Sequence, residues 1–297
     1  MVVTISQAYI ETFEENVRHL AQQSDTRLRR FVTEKATTGE KHNWDRLAQS
    51  AAVQKTSART GTPAGGDGSG AVGSTDGLDW DRRVSLAETW HTGEIFEQED
   101  PVQMLIDPQS SIATNLAMNM RRSVDDIIIT AATADALDGD GGTVAFPAGQ
   151  VVGDGTTPIT LDFVLQVQEL FNQNDVDPDE PKCAVIGPTQ QRKLMQLMEV
   201  TSGDYQNAKA LATGVLPNWM GFTWIVSNRL LIPALDEIST LFFSRKAIGM
   251  QVNKDITARI AERVDMSFAW QVYCHLTMGA VRTEDEHIVH GHLADTI

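Results

Sequence analysis

The stretch DPQSSIATNLAMNMRRSVDDIIITAATADAL, residues 107–137, decides the fold because it reads as one long helix. Asp107 can cap its start, Pro108 suits the first helical position, and the run Gly139-Asp140-Gly141-Gly142 stops it. Between them Ile112, Leu116, Met120, Val124, Ile127, Ile128 and Ala131 recur at steps of three and four, which puts them on one side of a 3.6-residue helix. A helix from Gln109 to Leu137 would be about 43 Å long at 1.5 Å per residue, far beyond the roughly 11 residues of an average globular helix. Such a helix is a beam for something extended.

The residues before the beam have few partners among themselves. Ile5, Tyr9, Phe13, Val17 and Leu20 form the stripe of an N-terminal helix, followed by the basic patch Arg27, Arg29 and Arg30 and by short strands near Phe31-Val32 and Trp44–Leu47. This segment reads as an arm that packs on something else. Residues 61–77 then hold seven glycines in seventeen positions, which cannot build a core, and loops of that length are usually functional. The chain returns along Asp81 to Phe96, where alternation puts Val84, Leu86 and Trp90 on one side.

Beyond the beam, helices and strands alternate. Thr143–Phe146 reads as a short strand, Leu161–Phe171 as a helix capped by Thr160, and Ala184-Val185-Ile186 as a buried strand before a helix to Met198. A short helix over Asp204–Leu211 and strands at Phe222–Val226 and Thr240–Phe243 complete an α/β subdomain over about 150–245. From Phe268 to Ala280 apolar and polar residues alternate with period two, and this long strand pairs with Val252–Val264 through a turn at Asp265-Met266.

Composition narrows the function. The 297 residues are 41% apolar, enough for a sizeable core, and no apolar run approaches the ~20 residues of a membrane span. The start of the sequence passes directly into an amphipathic pattern without a signal peptide, and Cys183 and Cys274 are far apart, so a cytoplasmic protein with two buried thiols is expected. The net charge is -16, with residues 61–150 carrying four basic and fifteen acidic side chains. A surface of that sign repels nucleic acid, whose duplex affinity rests on Lys and Arg neutralising phosphates.

No motif supplies catalytic chemistry. Gly68-Ser69-Gly70-Ala71-Val72-Gly73 matches GxGxxG but lacks the flanking strand and helix of a dinucleotide site. The acidic turns starting at Asp138 and Asp175 carry Gly149 and Ile186 where a calcium loop needs a bidentate Glu. His287, His290 and His292 cluster without the further ligands of a metal site and read as histidines near a strand end; His275 reads as a hydrogen-bonded structural residue. Asp125-Asp126 and Glu284-Asp285-Glu286 are adjacent in sequence and read as solvated or interface charges. No catalytic residue, cofactor or metal is expected.

Several stretches carry a resemblance: Tyr9-Ile10-Glu11-Thr12-Phe13, Ser123 to Ala132 in the beam, Glu199 to Tyr205, Trp219-Met220-Gly221-Phe222, Ala247-Ile248-Gly249-Met250 and Gly279-Ala280-Val281-Arg282. With the order arm, glycine-tipped excursion, spine helix, α/β subdomain and long-stranded sheet, the chain resembles the major capsid proteins of tailed bacteriophages, the Hong Kong 97-type fold. The resemblance implies an α+β fold with an N-terminal arm (1–50), an extended loop (51–100), a spine-helix part of a peripheral domain (101–150), an axial domain (151–245) and a peripheral sheet (246–297). It implies a virion protein, assembled in the host cytoplasm, whose copies form pentamers and hexamers of an icosahedral shell around DNA bound without sequence specificity. The extended loop would lie over a neighbour, the axial domain would meet its copies at five- and six-fold axes, and the hairpin near Asp265 would reach three-fold contacts.

No lysine lies between Lys55 and Lys182, so the extended loop lacks the side chain for Lys–Asn cross-linking and a non-cross-linked shell is expected. With no long extension ahead of the arm, a separate scaffolding protein is expected, alongside a portal and a cement protein. Candidate subunit-interface residues are Arg27, Arg29 and Arg30, meeting Glu94, Glu97, Glu99 and Asp100 of a neighbour, with Gly66, Gly68, Gly70, Trp80, Arg82, Arg83 and Asp265. An encapsulin-like nanocompartment shell is the alternative, and a soluble α/β enzyme a remote one.

Overall fold

The computed structural model describes residues 21–47, 80–97, 108–197, 216, 218–234 and 236–295. The N-terminal helix at 5–20, the glycine loop with Gly66, Gly68 and Gly70, the acidic Glu99 and Asp100, the cap Asp107 and the helix at 204–211 all fall outside those residues. Two compact units divide the chain, one of Met1–Asp25, Thr89–Ser123 and Ile256–Leu276, the other of Thr26–Glu88, Val124–Asp255 and Thr277–Ile297.

The long helix α1 runs Pro108–Thr133, 26 residues or about 39 Å. Its buried residues are Leu116, Met120, Val124, Asp125, Ile128, Ile129 and Ala132. They follow a ridge of four-residue steps, whereas the expected stripe turned aside at Ile127 and Ala131, both half-buried. The helix also ends four residues before the expected Leu137. Leu137 belongs instead to a strand, β5 (Ala136–Asp138), which pairs with β6 (Thr143–Val144). The glycine run is therefore the turn of a hairpin, where Asp138 N–H donates to the Gly142 carbonyl at 2.9 Å and Gly141 has φ +87°. Ladder bonds offered by the neighbouring strand outweigh local helix propensity here.

In the second unit, β2 (Lys41–Leu47) and β3 (Trp80–Leu86) pair antiparallel over their whole length, from Lys41 with Leu86 to Leu47 with Trp80. Together with β5 and β6 they form a sheet of order β2-β3-β5-β6. The outgoing strand thus starts at Lys41, earlier than the sequence pattern placed it. The expected alternation on the returning strand holds only at Val84; Leu86 and Trp90 are exposed, and the strand breaks at Ala87 before β4 (Glu88–Phe96).

The α/β part is a five-stranded sheet of order β7-β13-β10-β8-β9, with β7 at Val151–Val152, β8 at Lys182–Ile186, β9 at Phe222–Val226, β10 at Glu237–Ser244 and β13 at Ile288–Ala294. β8 is buried at every residue, as a central strand covered on both faces should be. Helix α2 (Leu161–Gln173) starts where Thr160 Oγ1 accepts from Phe163 N–H at 3.2 Å, the expected cap, and buries Phe163, Val164, Val167 and Phe171. Gly291 of β13 leaves the room that Phe163 fills: a Cβ there would lie 2.5 Å from the ring. Phe242, with centroids 5.5 to 6.0 Å from Phe163, Phe222 and Trp224, centres an aromatic core. Helix α3 (Pro188–Gln196) follows β8. The last strand, grouped above with the closing sheet, is hydrogen-bonded into this one beside β10.

The remaining sheet has the order β1-β11-β12-β4, with β1 at Thr33–Ala36, β11 at Ile248–Arg263 and β12 at Ala269–Arg282. Val272, Cys274, Leu276 and Met278 are buried in alternation, as their period requires. Both cysteines are buried free thiols.

Candidate subunit interface

The ribbon of β2 and β3 has two unlike faces, because side chains directly opposite in an antiparallel pair point the same way. One face is packed and bonded. Trp44 donates Nε1 to Ser85 Oγ at 3.1 Å, its ring fills the space left by Gly249, and Ser85 donates on to Gln251 Oε1 at 2.9 Å. On the same face Arg46 pairs with Asp81 at 3.2 Å, and Arg83 with Asp285 at 3.1 Å. The other face carries the exposed ion pair of Arg82 and Asp45 at 2.6 Å and, beyond it, Leu47 beside Trp80. These two are 52% and 74% exposed, although the chain leaves the ribbon at Leu47 and re-enters it at Trp80. A cross-strand apolar pair of this size normally stabilises a sheet by covering something.

A second exposed apolar group sits at the turn between β11 and β12. Val264, Met266 and Phe268 are all exposed, with Ile260 on the incoming strand. Ser267 and Phe268 have φ of 51° and 61°, held by Ala269 N–H donating to the Met266 carbonyl at 2.9 Å. Asp265 lies in this turn, where the guanidinium of Arg263 pairs with it and holds its carboxyl below the usual range. A third group, Leu231 and Ile232, is exposed in the loop between β9 and β10.

The basic patch has partners within its own subunit. Arg29 is clamped within its own subunit, to Glu34 at 2.8 Å and Asp255 at 3.1 Å, and these two carboxylates raise its pKa further. Arg27 donates Nη1 to the Val226 carbonyl, while Arg30 lies over the Phe31 ring at 4.8 Å. Arg27 and Arg29 thus each have partners within their own subunit. Arg83, also a candidate, is 4% exposed and pairs with Asp285 within the subunit.

Asp125, read from the sequence as a solvated or interface charge, is fully buried in α1. Its carboxylate accepts from the backbone N–H of Arg27 at 3.0 Å and of Leu28 at 3.2 Å, which ties this segment to α1. Its neighbour Asp126 is half-exposed and pairs with Arg229. Asp285 is likewise mostly buried.

Groups with potential chemistry are arranged for structure. Ser244 Oγ lies 2.7 Å from His287 Nδ1, and Glu180 Oε2 lies 3.8 Å from the same nitrogen. A Ser–His–acid relay needs the base and its orienting acid on opposite ring nitrogens, so this trio cannot run one. His290 bonds Ser239 and faces His292 at 4.5 Å between centroids; burial, aided by His292, lowers its pKa to about 4. Among the described residues no cluster of His, Cys, Asp and Glu is arranged to hold a metal. Burial pushes both thiols up, which makes them unreactive.

A chain with a spine helix, a two-stranded ribbon, an α/β sheet and a long-stranded hairpin has the Hong Kong 97-type fold. Solved capsids share this architecture. A capsid structure of cyanophage P-SCSP1u matches with a TM-score of 0.75 at 15% identity, over 100% of this chain and 96% of that one. The capsid of Ralstonia phage GP4 matches at 0.72 and 10% identity, over 100% and 98%. A structure from Mycobacterium phage Che8 matches at 0.69 and 15%, over 97% and 98%. No curated protein sequence matches. The chain belongs to the phage capsid protein family, which matches residues 5–294. It is a structural protein of the head shell, and the encapsulin alternative is not favoured.

Proposed function

We propose that copies of this chain close into an icosahedral shell around a phage DNA genome, with the β2–β3 ribbon of each copy lying over the next. The observation that carries this reading is the Leu47–Trp80 pair, exposed together at the last described pair of the ribbon. Many modest contacts of this kind sum to a stable shell while each stays weak enough to correct during assembly. The α/β sheet with its loop at Leu231 and Ile232 suits contacts around the symmetry axes, and the turn at Asp265 suits a contact among three copies. With no Lys between Lys55 and Lys182, the shell is held without Lys–Asn cross-links in this span. The -16 charge favours a wall that does not trap the packaged DNA. The protein acts without catalysis, is assembled in the host cytoplasm, and works with scaffolding, portal and cement proteins.

Electron microscopy of the purified protein, expressed with and without a candidate scaffold, tests the reading. Closed hollow particles are expected. Uniform monomers under every assembly condition would reject it.

A further inference from the structure

The root of the β2–β3 ribbon is tied to the end of α1 in two ways. The first is the ladder between β3 and β5, which has only two register pairs, Arg83 with Asp138 and Val84 with Leu137. The second is a chain of buried ionic groups. Arg282, fully buried at the end of β12, donates Nη1 to the Ala134 carbonyl at 2.9 Å, one residue past α1, and Nη2 to the carbonyls of Val144 at 3.0 Å and Ala145 at 3.1 Å. Its guanidinium lies 4.9 Å from the Phe146 centroid and pairs through Nε with Asp285. The second oxygen of Asp285 accepts from Arg83 Nη2 at 3.1 Å. Arg83 Nε and Nη1 are buried without an acceptor among the described residues, and Asp81 lies 3.8 Å away, so Asp285 is the carboxylate that neutralises this cation.

We propose that the Arg282–Asp285–Arg83 chain is a positioning joint that sets the direction in which the ribbon leaves the subunit, and through it the curvature of the assembled shell. This rests on the shell reading above. A ladder of two pairs constrains direction poorly, since adjacent strands span a range of roughly 25° in twist. Trp80 lies three residues beyond Arg83, roughly 10 Å along the strand. A swing of about 20° there moves Trp80 by roughly 3.5 Å, about one ladder residue, which is enough to misplace a contact between subunits. The bond from Gly139 N–H to the Arg82 carbonyl at 3.0 Å extends the ladder by one, and Trp44 over Gly249 and Ser85 with Gln251 hold the ribbon to β11; the ionic chain adds a charged fixed point toward α1. Buried ion pairs add little net stability compared with apolar packing, but they penalise every geometry in which the charges part, and that is what a joint requires.

The test compares particles assembled from Asp285→Asn, Arg83→Met and Arg83→Lys with those from a packing control, Val167→Ala in α2. At a temperature where circular dichroism shows each subunit folded, Asp285→Asn and Arg83→Met are expected to give open sheets or a broadened diameter distribution. Arg83→Lys, which keeps the charge, recovers the wild-type diameter, and Val167→Ala lowers the thermal midpoint without changing it. Should Asp285→Asn fail to fold, Glu284→Gln weakens the adjoining 3.3 Å pair with Arg46 and is expected to broaden the diameters less severely. Joint variants that lower the thermal midpoint yet give particles of wild-type diameter would make these residues merely structural and overturn the proposal. Wild-type protein that never closes would instead reject the shell reading on which the joint rests.

Discussion

Replacing Asp125 and Asp126 one at a time by alanine separates two neighbouring carboxylates that the sequence does not distinguish. Asp125 is fully buried and accepts from the backbone N–H groups of Arg27 and Leu28 at 3.0 and 3.2 Å. Alanine would leave both donors without this acceptor, and Leu28 is itself fully buried. At about 1–3 kcal/mol for each of the two donors left unsatisfied, the buried one on Leu28 and the part-buried one on Arg27, Asp125→Ala should cost roughly 2–6 kcal/mol. Asp126 forms a half-exposed ion pair with Arg229, so Asp126→Ala should cost no more than about 1 kcal/mol. Asn at position 125 keeps one acceptor oxygen and should fall between. Urea denaturation of the unassembled subunit, followed by circular dichroism, measures all three. The reasoning fails if Asp125→Ala costs less than about 1 kcal/mol or no more than Asp126→Ala.

A Cβ on Gly279 would stand 1.8 Å from the Leu86 carbonyl oxygen and 2.6 Å from its carbon. Gly279→Ala should therefore reach or exceed the ~3 kcal/mol upper end of ordinary overpacking, while Gly142→Ala, with nothing within 4 Å, should stay within about 0.5 kcal/mol in the same denaturation assay. His290, whose pKa is lowered to about 4 in the fold from an ordinary 6.5, binds fewer protons folded than unfolded between those values. Its contribution is therefore fully present above pH 6.5 and is lost progressively as the pH falls toward 4, so the stability difference from His290→Gln should vary across that window and level off outside it. Leu47→Ser with Trp80→Ser should leave urea stability within about 1 kcal/mol, because both side chains are exposed, yet sharply reduce particle yield in sedimentation.

Elements specified by their own residues were legible in the sequence. Thr160 caps α2 as read, β9 occupies Phe222–Val226 as read, and the period-two core of β12 holds from Val272 to Met278. Features that depend on distant partners were not. β13 escaped because its Gly291 is filled by Phe163 from α2 and its His290 is satisfied by Ser239, so the strand lacks an apolar alternation of its own. β2 reads KHNWDRL, a polar run that becomes a strand through β3. Among the candidate interface residues, Trp80 and Arg82 are exposed, while Arg29 finds Asp255, 226 positions away, and Arg83 finds Asp285, pairings that no local pattern shows. A buried carboxylate such as Asp125 looks in sequence like any exposed one, since its acceptors' partners are backbone amides that carry no residue-type signal.

The central claim is that the ribbon of β2 and β3 is completed by another copy of the chain. A cryo-electron microscopy reconstruction of the assembled particle tests it directly. The account predicts Leu47 and Trp80 buried against a neighbouring subunit. Finding them open to solvent in the closed shell, or folded back onto their own subunit, would contradict it.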